Sequence, residues 1–177
     1  MRLFEVIHSM YLNEVHLGIG SNLGDRVTNV KEGLRCLREQ SFEFKTSNFY
    51  ETIPKGFNSQ PMFINVVCKF WTNLNPFQLL HEIKKIEYAS DRTRAFINAP
   101  RTLDIDILFY GDMVIDLDIL KLPHPDIANR LFVLEPLCEI SPRLMHPLLG
   151  NSMEDLLIQT SAVNMGVELV FPLIVMD

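Results

Sequence analysis

The spacing of apolar residues along this chain switches between every second position and every third or fourth. The order is strand, helix, strand, strand, helix, strand. VHLGIG at 15–20 alternates toward a first strand and runs into SNLGD, a turn rich in Ser, Asn and Gly. From Asp25, the residues Val27, Val30, Leu34 and Leu37 recur at helical spacing. They predict a helix of about fourteen residues with Asp25 as its cap. FEFKTSNFYET at 42–52 and MFINVVCKFWT at 62–72 are rich in β-branched and aromatic residues. They predict two strands parted by the turn-forming IPKGFNSQP. Asn75, Pro76 and Gln78 then mark a helix start: a cap, a ring-fixed first position and a capping-box partner. Leu79, Ile83 and Ile86 line the buried stripe of that helix, with Glu87 at its edge. DILFYGD and MVID carry further strand signals, and NRLFVLEPLCEI and SMEDLLIQT each predict a short helix. A β-α-β-β-α-β order predicts an α+β, ferredoxin-like fold whose mainly antiparallel sheet carries both helices on one face. The two later helices would cover the other face, giving an αβα sandwich.

With 177 residues, 47% of them hydrophobic, the chain suffices for one sizeable core. We expect one domain over 15–165, an N-terminal extension over 1–14 and an apolar tail, GVELVFPLIVMD, over 166–177. The tail reads as an added strand, a partner surface or the junction to a longer chain. A net charge of −6 argues against a protein that mainly holds a nucleic-acid backbone. Cys36, Cys68 and Cys138 form no C-x-x-C pair and read as small core hydrophobes in a reducing compartment. The first fourteen residues lack the basic start and apolar run of a secretory signal. No run approaches the roughly 18 apolar residues of a membrane span. The expectation is a cytoplasmic protein with small-molecule substrates and neither nucleic acid nor membrane as partner.

The chemistry concentrates in APRTLDIDILFYGD, 99–112. On a strand Asp104 and Asp106 point to one side while Leu103, Ile105 and Ile107 face the other. Like charges side by side on a strand are unfavourable unless a cation compensates. Two divalent ions about 3.5–4 Å apart, clamping a polyphosphate, would do so. An acidic solvent face on a half-exposed strand is the competing reading. Arg92, Arg94 and Arg101 flank the segment that feeds into Asp104, so guanidinium groups and metal-binding carboxylates would share one cleft. That combination suits phosphoryl transfer, which needs positioning and charge neutralisation more than covalent chemistry. No G-x-x-x-x-G-K-[ST] loop occurs, and GIGSNLGD lacks G-x-G-x-x-G spacing and reads as a strand-to-helix turn. Asn65 within an apolar strand requires hydrogen-bond partners. Phe63 and Phe132 read as core residues on their own, and His124 in L-P-H-P-D as turn residue or ligand. Asp112, Asp116 and Asp118 read as a solvated hairpin.

LGIGSNLGDR, FYET with QPMFINVV, APRTLDIDILFYGD and LPHPDIANRLFVLEPLCEI together resemble 6-hydroxymethyl-7,8-dihydropterin pyrophosphokinase, in order across 15–150. The resemblance implies a folate-biosynthesis step in which pyrophosphate passes from ATP to the pterin hydroxymethyl group, with AMP leaving and magnesium required. It implies that Asp104 and Asp106 hold two Mg²⁺ ions bridging the ATP phosphates. Arg92 and Arg101 would steady the phosphates, with Arg92 the better placed for transition-state charge. Lys84, Glu87, Arg94, Ile107, Lys121, His124 and Arg130 fall in the implied ATP site. Thr52, Lys55, Phe63, Asn65 and Phe132 fall in the implied pterin site. Thr52 and Lys55 would act through backbone, Asn65 through its amide and Phe132 by stacking. The loops at 52–61 and 91–101 would close over the substrates to exclude water.

The chain departs from the family pattern in places. The segment before Pro100-Arg101 reads AFINA and lacks a loop cation, Ile119 stands where an arginine is common, Pro125 replaces an aromatic, and Ile53-Pro54 replaces a double proline. Weaker nucleotide contacts with intact core chemistry are expected. Two other classes stay open. An RNA-binding module would need the [KR]-G-[FY]-[GA]-F-V-x-[FY] signature, which is missing. An inactive family member could serve as an interaction domain, or the chain could be joined to another folate enzyme.

Overall fold

A computed structural model describes residues 12–53, 60–90, 100–163 and 170–173. In chain order the elements are β1 (Asn13–Ser21), α1 (Arg26–Arg38), β2 (Phe42–Thr46), β3 (Phe49–Thr52) and β4 (Phe63–Thr72). They continue with α2 (Pro76–Ala89), β5 (Asp104–Tyr110), β6 (Ile115–Leu117) and β7 (Leu120–Leu122). A 3-10 turn (Ile127–Asn129), α3 (Leu131–Ile140), α4 (Met153–Val163) and β8 (Val170–Leu173) follow.

The helix starts follow their capping chemistry. The Asp25 carboxylate accepts from Thr28 N at 3.2 Å and Thr28 Oγ1 at 2.8 Å. At α2 the Asn75 side chain accepts from Gln78 N at 3.0 Å while Gln78 Oε1 accepts from Asn75 N at 2.9 Å. Such a reciprocal cap is worth about 1 kcal/mol.

The main sheet runs β5-β1-β4-β3-β8, with β2 also on β4, and every pairing is antiparallel. This is the ferredoxin-like arrangement, in which the α1 crossover leaves a gap that β4 fills and the α2 crossover passes over β1 to the far edge. The segment 42–52, expected as one strand, is two. Ser47 turns its polar groups onto Val67, donating from N at 2.9 Å and accepting at Oγ from Val67 N at 3.0 Å. Asn48 N gives its proton to the Glu139 carboxylate on α3 at 3.0 Å. Side chains that bond backbone in this way interrupt a ladder. At the far edge β8, drawn from the apolar tail, pairs Val170 to Leu173 against Thr52 to Phe49.

Two cores flank the sheet. Val30, Leu34 and Leu37 of α1 and Leu79, Ile83 and Ile86 of α2 pack on Val15, Leu17, Ile19, Val66, Ile105 and Ile107. On the opposite face Val133, Leu134 and Leu137 of α3 and Met153 and Leu156 of α4 pack on Val67, Leu108 and Phe109. A bulge supports this division. His16 pairs with Phe109 but Leu17 with Ile107, so Leu108 is the extra residue on β5. Leu108 and Phe109 therefore both reach the α3 face, against strict alternation. Asp112, Asp116 and Asp118 are exposed in and before the β6-β7 hairpin, as the solvated reading expects. Cys36, Cys68 and Cys138 are unpaired thiols. Among the described residues, no helix is long and apolar enough to cross a membrane.

Candidate active site

Three adjacent strands bring the site together by register. Gly20 on β1 lies opposite Asn65 on β4 and Asp104 on β5, and Gly18 opposite Val67 and Asp106. The two glycines thus lie between the amide and the carboxylate pair, and no side chain of β1 rises between them. A Cβ at Gly20 would meet Asn65 Oδ1 at 2.8 Å, so only glycine permits that approach. Over this floor opens a cavity of about 190 Å³, walled by Phe63, Arg101, Arg130 and Phe132. From sequence Gly18 and Gly20 read only as the end of a first strand that runs into a turn, with no role in a site. Single-residue alternation in VHLGIG was the available signal, since it puts Gly18 and Gly20 on one face.

Asp104 and Asp106 are half-buried and share the cavity face, while Ile105 and Ile107 enter the α1/α2 core. Burial holds the Asp106 carboxyl above the ordinary carboxylate range, and the neighbouring Asp104 pushes it further. His124, Arg130 and Arg101 pull in the other direction. Arg101 Nη1 lies 2.6 Å from Asp104 Oδ2, and its guanidinium carbon sits 5.6 Å from the centroid of the Phe63 ring. Its Nε is buried and has no hydrogen-bond partner among the described residues. An unmade bond of this kind costs about 1–3 kcal/mol.

On the other side, Asn65 is buried and its Nδ2 donates to Thr52 Oγ1 at 2.7 Å. The side chain of Thr52, itself buried, therefore orients the amide, a role the sequence reading did not foresee. Phe63 and Phe132 are both half-buried at the cavity wall, not sealed into a core. Arg130, at the start of α3, pairs with Asp126 and lies over the Phe132 ring at 5.5 Å.

Of the residues assigned to the nucleotide, Arg101 and Arg130 line the cavity and the other described ones lie outside it. Glu87 is 1% exposed, its Oε1 accepting from Ile105 N at 2.9 Å and its Oε2 2.8 Å from Lys84 Nζ. It thereby fixes the backbone between the two aspartates. Ile107 has its side chain in the core and could meet a ligand only through backbone. Lys121 is exposed on β7 and pairs with Asp116. His124 serves its turn, with Nδ1 accepting from Asp126 N at 3.2 Å, and its own N donates to Leu108 O at 3.0 Å. None of these four lines the cavity. Lys55, Arg92 and Arg94 lie outside the described residues.

No group of three or more His, Cys, Asp and Glu that could hold a metal occurs among the described residues. The Asp pair does fit magnesium, which is commonly held by one or two carboxylates with substrate phosphates and water completing the octahedron.

A family model described as 7,8-dihydro-6-hydroxymethylpterin-pyrophosphokinase matches residues 16–142. The chain is 41% identical to the 2-amino-4-hydroxy-6-hydroxymethyldihydropteridine pyrophosphokinase of Aquifex aeolicus, over 80% of this chain and 88% of that protein. With the Bacillus subtilis enzyme of the same name identity is 40%, over 72% of this chain and 78% of that protein. A folic acid synthesis protein of Dictyostelium discoideum is 43% identical over 77% of this chain, which spans only 21% of that longer protein. Among solved structures, a Plasmodium falciparum HPPK-DHPS triple mutant matches with a TM-score of 0.71 at 18% identity, over 88% of this chain and 44% of that one. That likeness concerns the fold.

Proposed function

The chain belongs to the 7,8-dihydro-6-hydroxymethylpterin-pyrophosphokinase family, and we propose that it transfers pyrophosphate from ATP to the hydroxymethyl oxygen of 6-hydroxymethyl-7,8-dihydropterin, releasing AMP, in folate biosynthesis. The observation that carries this reading is the cross-strand row Asn65, Gly20, Asp104. It sets a hydrogen-bonding amide and a carboxylate pair on one open face, with the Arg101 guanidinium beside the carboxylates and phosphate-sized space above.

In this reading the Asn65 amide, held by Thr52, reads the pterin ring edge, and Phe63 and Phe132 hold the flat ring. By resemblance, Lys55 would contribute through its backbone to pterin binding. Arg101 and Arg130 face the phosphates from the cavity wall, and Arg92 and Arg94 join them from the segment before Pro100. Lys84, Glu87, Ile107, Lys121 and His124 serve the nucleotide along the outer edge of β5, Glu87 by bracing the strand. Magnesium bound at Asp104 and Asp106 would neutralise phosphate charge and acidify the attacking hydroxyl. The chain's own contribution is alignment, so that the hydroxyl oxygen faces the β-phosphorus in line with the departing AMP oxygen. The core region over 15–165 would be the catalytic domain, in the cytoplasm. The segment beyond α4 would be where another folate-pathway enzyme is joined or docks, as the much longer relatives suggest.

The test is AMP formation from ATP and magnesium with and without the pterin. AMP that appears only when the pterin is present supports the reading. Pyrophosphate release, with AMP left on the acceptor, would assign nucleotidyl transfer instead.

A further inference from the structure

The apolar tail supplies β8, which closes the edge of the sheet beside Thr52 and opposite the edge formed by β5. We infer that Phe171 of β8 is a positioning residue for the pterin: its backbone holds β3, β3 holds Thr52, and Thr52 holds the Asn65 amide. The inference rests on the pyrophosphokinase reading.

The direction of the backbone groups follows from one pair of bonds. Val67 O accepts from Ser47 N at 2.9 Å and Val67 N donates to Ser47 Oγ at 3.0 Å, so both groups of Val67 face the β2 and β3 side of β4. In an antiparallel ladder every second residue faces the same neighbour. The pairing of β4 with β1 runs without a shift, so Asn65 and Phe63 also face β3, where they meet Tyr50 and Thr52. Phe49 and Glu51 therefore turn their N–H and C=O groups the other way, to Leu173 and Phe171 of β8. Val170 and Pro172 face the outer edge. Proline has no N–H to offer there, and this is the placement a strand tolerates.

Thr52 ends a strand of four residues, and it walls the cavity together with Ile53. Its hydroxyl accepts from Asn65 Nδ2 at 2.7 Å. Strand ends open before strand centres, and an end paired on one side only opens more readily. The bond pair between Glu51 and Phe171 lies one residue before Thr52 and secures β3 from the side that β4 does not reach. Without it Thr52 would leave the Asn65 amide for part of the time, and the amide would turn. Asp104 and Asp106 lie on β5, parted from β3 by β1 and β4, so the metal side would not register the change. A strand that merely covered the sheet edge would raise the melting temperature and leave the pterin affinity of the folded chain alone.

Substitutions at Phe171 separate these roles. Phe171→Pro removes the N–H that donates to Glu51, whereas Phe171→Ala keeps it and removes the ring. The affinity for 6-hydroxymethylpterin is measured by calorimetry in the presence of magnesium and α,β-methylene-ATP, whose bridging carbon blocks the transfer. The affinity for that nucleotide with magnesium is measured separately. Phe171→Pro should weaken pterin binding about fivefold or more, the scale of one lost hydrogen bond, with nucleotide affinity within about twofold of the parent. Phe171→Ala should stay within about twofold for both ligands. Thr52→Val completes a double-mutant cycle: with the hydroxyl gone, adding Phe171→Pro should weaken pterin binding by no more than about twofold further. Thermal melts establish that each variant is folded. If Phe171→Pro is not, Leu173→Pro, which removes the bond to Phe49, decides with a smaller loss in the same direction. A proline variant that melts lower yet binds pterin like the parent would overturn the inference. So would an equal loss with Phe171→Ala, an equal loss for both ligands, or a loss that persists in full beside Thr52→Val. A parent chain that binds neither ligand would overturn the pyrophosphokinase reading itself, and the inference with it.

Discussion

Arg101 Nη1 lies 2.6 Å from Asp104 Oδ2, so the cation at the cavity wall is locked to one of the two paired carboxylates. A planar fork can hold that carboxylate through one N–H and still offer others to a second anion, whereas a lysine ammonium offers one point of charge. Arg101→Ala should lower kcat/KM for AMP formation by about 10²- to 10³-fold, the range for loss of one charge-stabilising donor. Arg101→Lys should recover little of it. Steady-state kinetics in which lysine restores activity to within about threefold would contradict this role.

The raised Asp106 carboxyl has a consequence for the metal-free protein. Between its ordinary and its raised titration range the folded chain binds more protons than the unfolded one. Its stability contribution is therefore lost as pH rises through that window, and at neutral pH the ionised group is a destabilising element. Asp106→Asn should raise the urea midpoint at pH 7.5 without metal, while abolishing AMP formation. A lower midpoint would show that the carboxylate is already compensated within the protein.

Gly20→Ala tests the floor of the cavity. The added Cβ would lie 2.8 Å from Asn65 Oδ1, and Thr52 leaves the amide little room to turn. Pterin affinity should fall about tenfold or more, roughly 1.4 kcal/mol, with the affinity for magnesium and α,β-methylene-ATP within about twofold of the parent. Gly18→Ala meets only Leu108 at 3.5 Å, an ordinary contact, and should be the milder change. Equal effects of the two substitutions on pterin binding would argue against the Asn65 clash.

His16 should govern part of the acid stability. It is 1% exposed, and its Nε2 lies 2.9 Å from Ser141 Oγ. Burial, aided by Lys69, lowers its pKa from 6.5 to about 3. The unfolded chain therefore binds the extra proton throughout that interval. The stabilisation is fully present above 6.5 and is lost as pH falls toward about 3. The slope attributable to this group reaches about 1.4 kcal/mol per pH unit. Denaturant titrations from pH 7 to 4 should show a flatter dependence for His16→Gln, and an unchanged slope would assign the acid sensitivity to other groups.

Much of this was legible because it depends on local periodicity. The strand and helix order, the Asn75 capping box and the shared face of Asp104 and Asp106 all follow from spacing within one segment. The role of Gly20 depends on which residues lie across β1 in β4 and β5, a register no single segment contains. The Leu108 bulge, the break at Ser47 and the bond from Thr52 to Asn65 likewise arise between strands. Glu87 was placed near ATP by resemblance alone, and its bond to Ile105 N, which makes it a brace beneath β5, likewise arises only between elements.

In the proposed reaction the β- and γ-phosphoryl groups move together to the pterin. Reaction of [γ-³²P]ATP with magnesium and 6-hydroxymethyl-7,8-dihydropterin tests this directly, with the products separated and the label located. The label should appear on the pterin in a one-to-one ratio with AMP. Label recovered as free phosphate or free pyrophosphate, with none on the pterin, would contradict the account.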